Sequence, residues 1–230
     1  MLLIHGICSS AQTWWELADR LAGDDITAVA PDLRGHGGSP QAVRYRAVDF
    51  AADLEPLGSG WDLVVGHSLG GLIAARAAQD AEFTRGMVLI DPVLEIASED
   101  FGTVTAANVS EAADPPSPAE IQAENPGWHP EHARLKAQAA RQASPHAMER
   151  TMEDNAPWSH AGLVDGFACA TTMLGADPAA SARLDPTLGA AIAARQPLVD
   201  YRLVPGTGHS VHRDRPDVVI DAIRELMGAG

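Results

Sequence analysis

Six short apolar runs punctuate the chain, separated by stretches in which apolar residues recur every three or four positions. The runs cover residues 2–5, 26–30, 62–65, 86–90, 170–174 and 199–204. They are too short for helices and rich in Leu, Ile and Val, as strands buried on both faces are. The helical spacing predicts helices over residues 10–21, 45–57, 69–81, 184–194 and 215–227. Asp214 is placed to cap the last of these, with Pro216 in its first turn. Strands and helices in alternation predict an α/β fold, a mostly parallel sheet with helices on both faces.

The rhythm breaks between Leu94 and Trp158. Pro115, Pro116, Pro118, Pro126, Pro130, Pro145 and Pro157 divide this interval into short segments without a strand-like run. The expected organisation is therefore an α/β core, residues 1–94 and 159–230, with a helical cap insertion at residues 95–158. Open α/β sheets bind ligands at the carboxyl ends of their strands, and the cap is expected to lie over that end. Trp128, Met148, Met152 and Trp158 are the candidates to line a pocket beneath it.

Composition narrows the picture. A chain of 230 residues with 46% apolar content supports one sizeable core rather than two. A net charge of −15 argues against nucleic acid and anionic membrane surfaces as partners. Cys8 and Cys169 lie far apart without metal-ligand spacing, so two free thiols in a reducing compartment are expected, one disulfide being the alternative. The opening Met1-Leu2-Leu3-Ile4 lacks the length and basic residues of a signal peptide, and no run reaches the length of a membrane span. The expectation is a soluble cytoplasmic protein.

The chemistry centres on Gly66-His67-Ser68-Leu69-Gly70-Gly71, between the run Leu63-Val64-Val65 and an Ala-rich helical pattern. Gly-x-Ser-x-Gly between strand and helix is the nucleophile-elbow arrangement, which exposes a serine hydroxyl at a helix N-terminus. Serine needs an adjacent base to act as a nucleophile. His209, in Pro205-Gly206-Thr207-Gly208-His209-Ser210 after the last strand, is placed to supply it. His5, His36 and His67 belong to turns, His129, His132, His146 and His160 fall in or beside the insertion, and His212 follows His209 by three. His129 and His132 flank Pro130-Glu131 without a third ligand, so no metal and no cofactor is expected.

Four segments together resemble the α/β-hydrolase superfamily, in its serine-dependent esterase- and lactonase-like branch. They are Leu3-Ile4-His5-Gly6-Ile7, Pro31-Asp32-Leu33-Arg34-Gly35-His36-Gly37-Gly38-Ser39, the Ser68 segment and Gly206-Thr207-Gly208-His209. The resemblance implies Ser68 as nucleophile, His209 as general base, and an oxyanion hole made by the backbone N–H groups of Ile7 and Leu69. It makes Arg34 and His36 structural members of their loop. It leaves two positions for the acid. The usual one, after the next-to-last strand, corresponds to Asp177 in Gly175-Ala176-Asp177-Pro178. A minority of relatives place it after the strand that follows the elbow helix, where Asp91 stands 23 residues beyond Ser68. Asp91 is taken as the acid and Asp177 as the runner-up, although either Asp-Pro pair also serves as an ordinary loop start. The family usually has two further strands before the first one here. N-terminal strands are thus expected to be missing, which bares a sheet edge and leaves room for a homo-oligomer.

The implied activity is hydrolysis of a small-molecule ester or lactone through an acyl-enzyme. Alternatives are thioester or carbon–carbon bond hydrolysis or cofactor-free peroxidation with the same triad, and a receptor-like protein that binds ligand with little turnover. The few aromatics and several methionines of the insertion suggest a modest apolar pocket suited to a neutral substrate. Arg134, Arg141 and Arg150 are the only hints of a site for an anion.

Overall fold

A computed structural model of the chain describes residues 1–24 and 26–228. Strands β1 (Leu2–Ile4), β2 (Val64–His67), β3 (Gly86–Ile90), β4 (Ala170–Gly175) and β5 (Val199–Leu203) form one parallel sheet in that order. Alternation along the strands divides the core in two. Leu2, Ile4, Val64, Met87, Leu89 and Met173 face one side; Leu3, Val65, Val88, Ile90 and Leu174 face the other. All are fully or almost fully buried, which is why these runs show no polar alternation.

The run at residues 26–30 does not form the expected strand. It contributes a single bridge, in which Leu3 N–H donates to Val29 O (2.8 Å) and Val29 N–H to Met1 O (2.9 Å). Its small Ala28 and Ala30 offer little surface to bury, and the segment lies half-exposed beside β1.

Helices α1 (Trp15–Leu21), α2 (Ala47–Ala52) and α3 (Leu69–Ala77) precede β3. Between β3 and β4 come α4 (Ser98–Ala113), α5 (Pro118–Glu124), α6 (Pro130–Gln142) and α7 (Pro145–Glu153). Helix α8 (Pro186–Arg195) joins β4 to β5, and α9 (Val211–Asp214) and α10 (Pro216–Gly228) follow. Leu17 and Leu21 of α1 and Val219, Ile220 and Ile223 of α10 cover one face of the sheet. Leu72 and Ile73 of α3, Phe50 of α2 and Ile192 of α8 cover the other. Several prolines that break the apolar rhythm begin helices: α5, α6, α7 and α8 carry proline in the first turn, where its missing N–H costs nothing. Asp214 does not cap α10. Its carboxylate accepts from Gly208 N–H (2.7 Å) and Trp128 Nε1–H (2.6 Å) instead.

The four helices after β3 are tied to the rest of the chain by α7. Met148 and Met152 are buried in the main core. Beyond the helix, Asp154 accepts from Tyr45 N–H (2.8 Å) and Asn155 accepts from Ala47 N–H (2.7 Å) while donating to Tyr45 O (2.8 Å). These bonds tie the end of α7 to the start of α2.

Candidate active site

The turn between β2 and α3 places Ser68 at φ 56°, ψ −118°, a region that L-residues rarely occupy. The surrounding packing enforces this strain. A Cβ on Gly70 would stand 2.1 Å from Ile4 O, and one on Gly66 would stand 2.5 Å from Gly70 O. Only glycine lets helix, turn and β1 meet this closely. Leu69 begins α3, so its N–H belongs to those a helix leaves without an internal acceptor.

Strand β3 ends by delivering Asp91, also at positive φ (40°) and fully buried. Its Oδ2 accepts from His209 Nδ1–H at 2.6 Å and from Arg183 N–H at 2.8 Å. Its Oδ1 accepts from Ala176 N–H (3.2 Å) and Leu184 N–H (3.1 Å). Four donors around one carboxylate offset much of the cost of removing it from water. With Nδ1 carrying the proton, His209 presents Nε2 as an acceptor. Ser68 and His209 line the same cavity, and no hydrogen bond joins them among the described residues. Such bonds often tighten only around substrate.

Asp177 stands elsewhere. Its carboxylate accepts from Gly206 N–H (2.8 Å) and Ala179 N–H (2.9 Å), which lowers its pKa and ties the loop before His209 to the loop after β4. The loop that carries Asp177 also supplies the three backbone donors to Asp91.

Neutral imidazoles surround His209. The His67 ring lies 4.7 Å from it, and its Nε2–H donates to His209 O (3.0 Å). His212 packs on His67 at 4.5 Å. Burial, reinforced by neighbouring cationic and imidazole groups, holds both well below the ordinary pKa of 6.5. His5 accepts from Leu33 N–H through Nε2 (3.0 Å), and burial pushes it down to about 4. His36, edge-on to His5, is pushed down to about 3 by the same cause. These two fix the loop after β1 to the segment at residues 31–39. Arg34 pairs with Asp53 through two bonds of 2.6 Å.

A cavity of about 720 Å³ opens over Ser68, His209, Ile7 and Leu69. The profile of the Alpha/beta hydrolase family matches residues 1–222. The chain belongs to the α/β-hydrolase family. It is 28% identical to 2-(acetamidomethylene)succinate hydrolase of Mesorhizobium japonicum, over 100% of this chain and 88% of that protein. It is 36% identical to lipase LipV of Mycobacterium tuberculosis, over 54% of this chain and 48% of the lipase, so the match spans about half of that relative. A crystal structure of E-2-(acetamidomethylene)succinate hydrolase superposes with a TM-score of 0.86 at 24% identity, over 99% of this chain and 91% of that one. An esterase of Thermogutta terrifontis gives 0.77 at 24% identity, over 99% and 89%. These likenesses extend the α/β-hydrolase fold over the whole chain. No helix among the described residues is long and apolar enough to cross a membrane.

In this α/β-hydrolase the four expected pocket residues separate. Met152 and Trp158 line the cavity, and Trp158 is fixed by donating to Val93 O (2.8 Å). Met148, on the same helix as Met152, is turned into the core. Trp128 sits behind the cavity wall, against Arg213. His129 and His132 do not form a metal pair: His132 Nε2 meets Glu16 Oε2 at 2.7 Å while its Nδ1 accepts from Trp15 Nε1–H at 3.3 Å. Arg134 pairs with Glu131 on its own helix, and Arg150 with Glu153 on α7 and Asp154 just beyond it. The cavity's basic groups are instead Lys136, Arg183 and Arg213. Arg213 stands on α9, the short helix that begins two residues after His209.

Proposed function

We propose that this α/β-hydrolase is a serine hydrolase that cleaves a carboxylic ester or lactone through an acyl-enzyme on Ser68. The observation that carries the reading is the 2.6 Å contact of His209 Nδ1 with the buried Asp91, at the cavity into which the strained Ser68 turn opens. Asp91 holds the imidazole in the Nδ1–H tautomer, so Nε2 takes the proton of Ser68 Oγ as that oxygen attacks the carbonyl carbon. The N–H groups of Ile7 and Leu69 receive the oxyanion, each contributing roughly 3–4 kcal/mol to transition-state stabilisation. The imidazolium, stabilised by Asp91, protonates the departing alkoxide. In the second half, Nε2 deprotonates a water that attacks the acyl carbon, and Ser68 leaves with the returned proton. The free thiols Cys8 and Cys169 support a reducing, cytoplasmic setting.

The test is turnover of p-nitrophenyl acetate, p-nitrophenyl butyrate and a panel of γ- and δ-lactones by wild type and Ser68→Ala. Ser68-dependent hydrolysis with an initial burst is expected. Equal rates for the two proteins would refute the mechanism, and saturable binding without turnover would favour a receptor-like role.

A further inference from the structure

The cavity contains a cation that the hydrolytic scheme does not use. Arg213, on α9, is 5% exposed and lines the same cavity as Ser68 and His209. Its Nε is buried without a hydrogen-bond partner. Among the described residues its guanidinium forms neither a hydrogen bond nor an ion pair. The other charged groups of the cavity are engaged or exposed. Lys136 pairs with Glu111 and donates to Cys8 O (3.0 Å). Glu95 accepts from Ser159 Oγ–H (3.1 Å) and Ala161 N–H (3.0 Å), and Asp185 caps α8. Arg183 and Asp100 are exposed.

A buried, unpaired guanidinium is costly, and the cost is relieved when an anion occupies its fork. Arg213 is held ready for one. The Trp128 ring covers one face of the guanidinium, with Cζ 4.9 Å from the ring centroid. Trp128 is itself fixed by Asp214, whose other oxygen holds Gly208, the residue before His209. Burial lowers the guanidinium to about 10, which leaves it charged at neutral pH. The side chain is therefore rigid, charged and open on the cavity side.

We infer that Arg213 binds a free carboxylate of the substrate, so that the preferred substrate carries an anionic group besides the bond cleaved at Ser68. This rests on the serine-hydrolase reading for the scissile bond only. One planar fork of single positive charge matches a carboxylate in bidentate geometry. A phosphate dianion would meet that single charge with Glu111 and Asp214 nearby, the two carboxylates that act on Arg213 electrostatically. The neutral substrate expected from the composition of the insertion does not use this group. The cation lies beyond the insertion, one turn after the catalytic-loop histidine.

The experiment separates site from chemistry. Ser68→Ala protein is titrated with monomethyl glutarate and with dimethyl glutarate, and the wild type is assayed for hydrolysis of both in a pH-stat. The monoacid is expected to bind at least about tenfold more tightly than the diester, with the same bias in wild-type kcat/KM. Arg213→Gln should reduce that preference by about 10- to 100-fold, the effect of losing a charged hydrogen bond. Arg213→Lys, which keeps the charge without the fork, should retain part of it and carries the test if the glutamine variant does not fold. Equal binding of the two ligands, no binding of the monoacid, or a preference that survives in a folded Arg213→Gln protein overturns the inference. Arg213-dependent binding without wild-type turnover would sink the serine-hydrolase reading and leave the carboxylate site standing. Turnover of both esters without preference would do the reverse.

Discussion

Replacing Asp91 by Asn tests the acid with the least steric change. The asparagine amide has one oxygen and one NH2 where the carboxylate has two acceptors. Oriented with its oxygen at the Oδ1 position, it still accepts from Ala176 and Leu184 N–H. Its NH2 then faces Arg183 N–H and the His209 ring, 2.8 and 2.6 Å from the Oδ2 position. Arg183 N–H loses its acceptor, a cost of about 1–3 kcal/mol in stability. His209 can meet an NH2 only by surrendering the Nδ1 proton and carrying it on Nε2, the nitrogen needed to receive the Ser68 proton. The reversed amide would face two N–H donors with its NH2 and is worse. The wrong tautomer, together with loss of the charge that stabilises the imidazolium, should lower kcat by up to about four orders of magnitude. KM should change little, because the buried Asp91 does not line the cavity. Steady-state kinetics on p-nitrophenyl butyrate, with a urea melt to confirm folding, measure both effects. A folded Asp91→Asn protein with more than about a tenth of wild-type kcat would refute the reasoning.

Three further outcomes follow from the same geometry. Asp177→Asn should leave kcat within about threefold of wild type, since its carboxylate only joins two loops at the surface; a collapse in kcat there would move the acid. Gly70→Ala should destabilise the fold by roughly 3 kcal/mol and abolish Ser68-dependent turnover, because its Cβ would meet Ile4 O and His5 O at 2.1 and 2.6 Å with no flexible side chain to yield. Stability should fall as the medium is acidified. His5 and His36 have native pKa values of about 4 and 3 against an ordinary 6.5, so the unfolded chain binds the extra protons. Their contribution is complete above pH 6.5 and is lost as pH falls through the native values. Near pH 5 the two groups alone give a slope of about 2.5 kcal/mol per pH unit, with His67 and His212 acting in the same direction. Urea unfolding at pH 7.5, 6 and 5 measures it, and a flat profile would contradict buried neutral imidazoles.

The sheet and the elbow were legible because local rules act there without competition. Each central run is apolar on both faces, and Gly66 and Gly70 stand where backbone meets backbone. The segment at residues 26–30 misled because a short apolar run says nothing about what lies beside it. At the sheet edge, with alanines to bury, it supports one bridge. The side-chain directions of the insertion were not legible for a related reason. Met148 and Met152 lie one helical turn apart and both pack in the core, yet only Met152 also reaches the cavity, a difference set by the packing of α7 as a whole. Between Asp91 and Asp177 the chain offers two Asp-Pro loop starts, and only the tertiary fold brings His209 to one of them. Arg213 escaped notice for another reason. In a segment dense with Arg and Asp, nothing in the composition marks the one that is buried without a partner.

The central claim is that Ser68 carries the acyl group. The most direct measurement is the intact mass of the protein after brief mixing with p-nitrophenyl butyrate and acid quench, followed by peptide mapping. One butyryl adduct per chain is expected on Ser68, absent in Ser68→Ala and slow to form in Asp91→Asn. Turnover that proceeds with no adduct on Ser68, or an adduct that forms equally in Ser68→Ala, would contradict it.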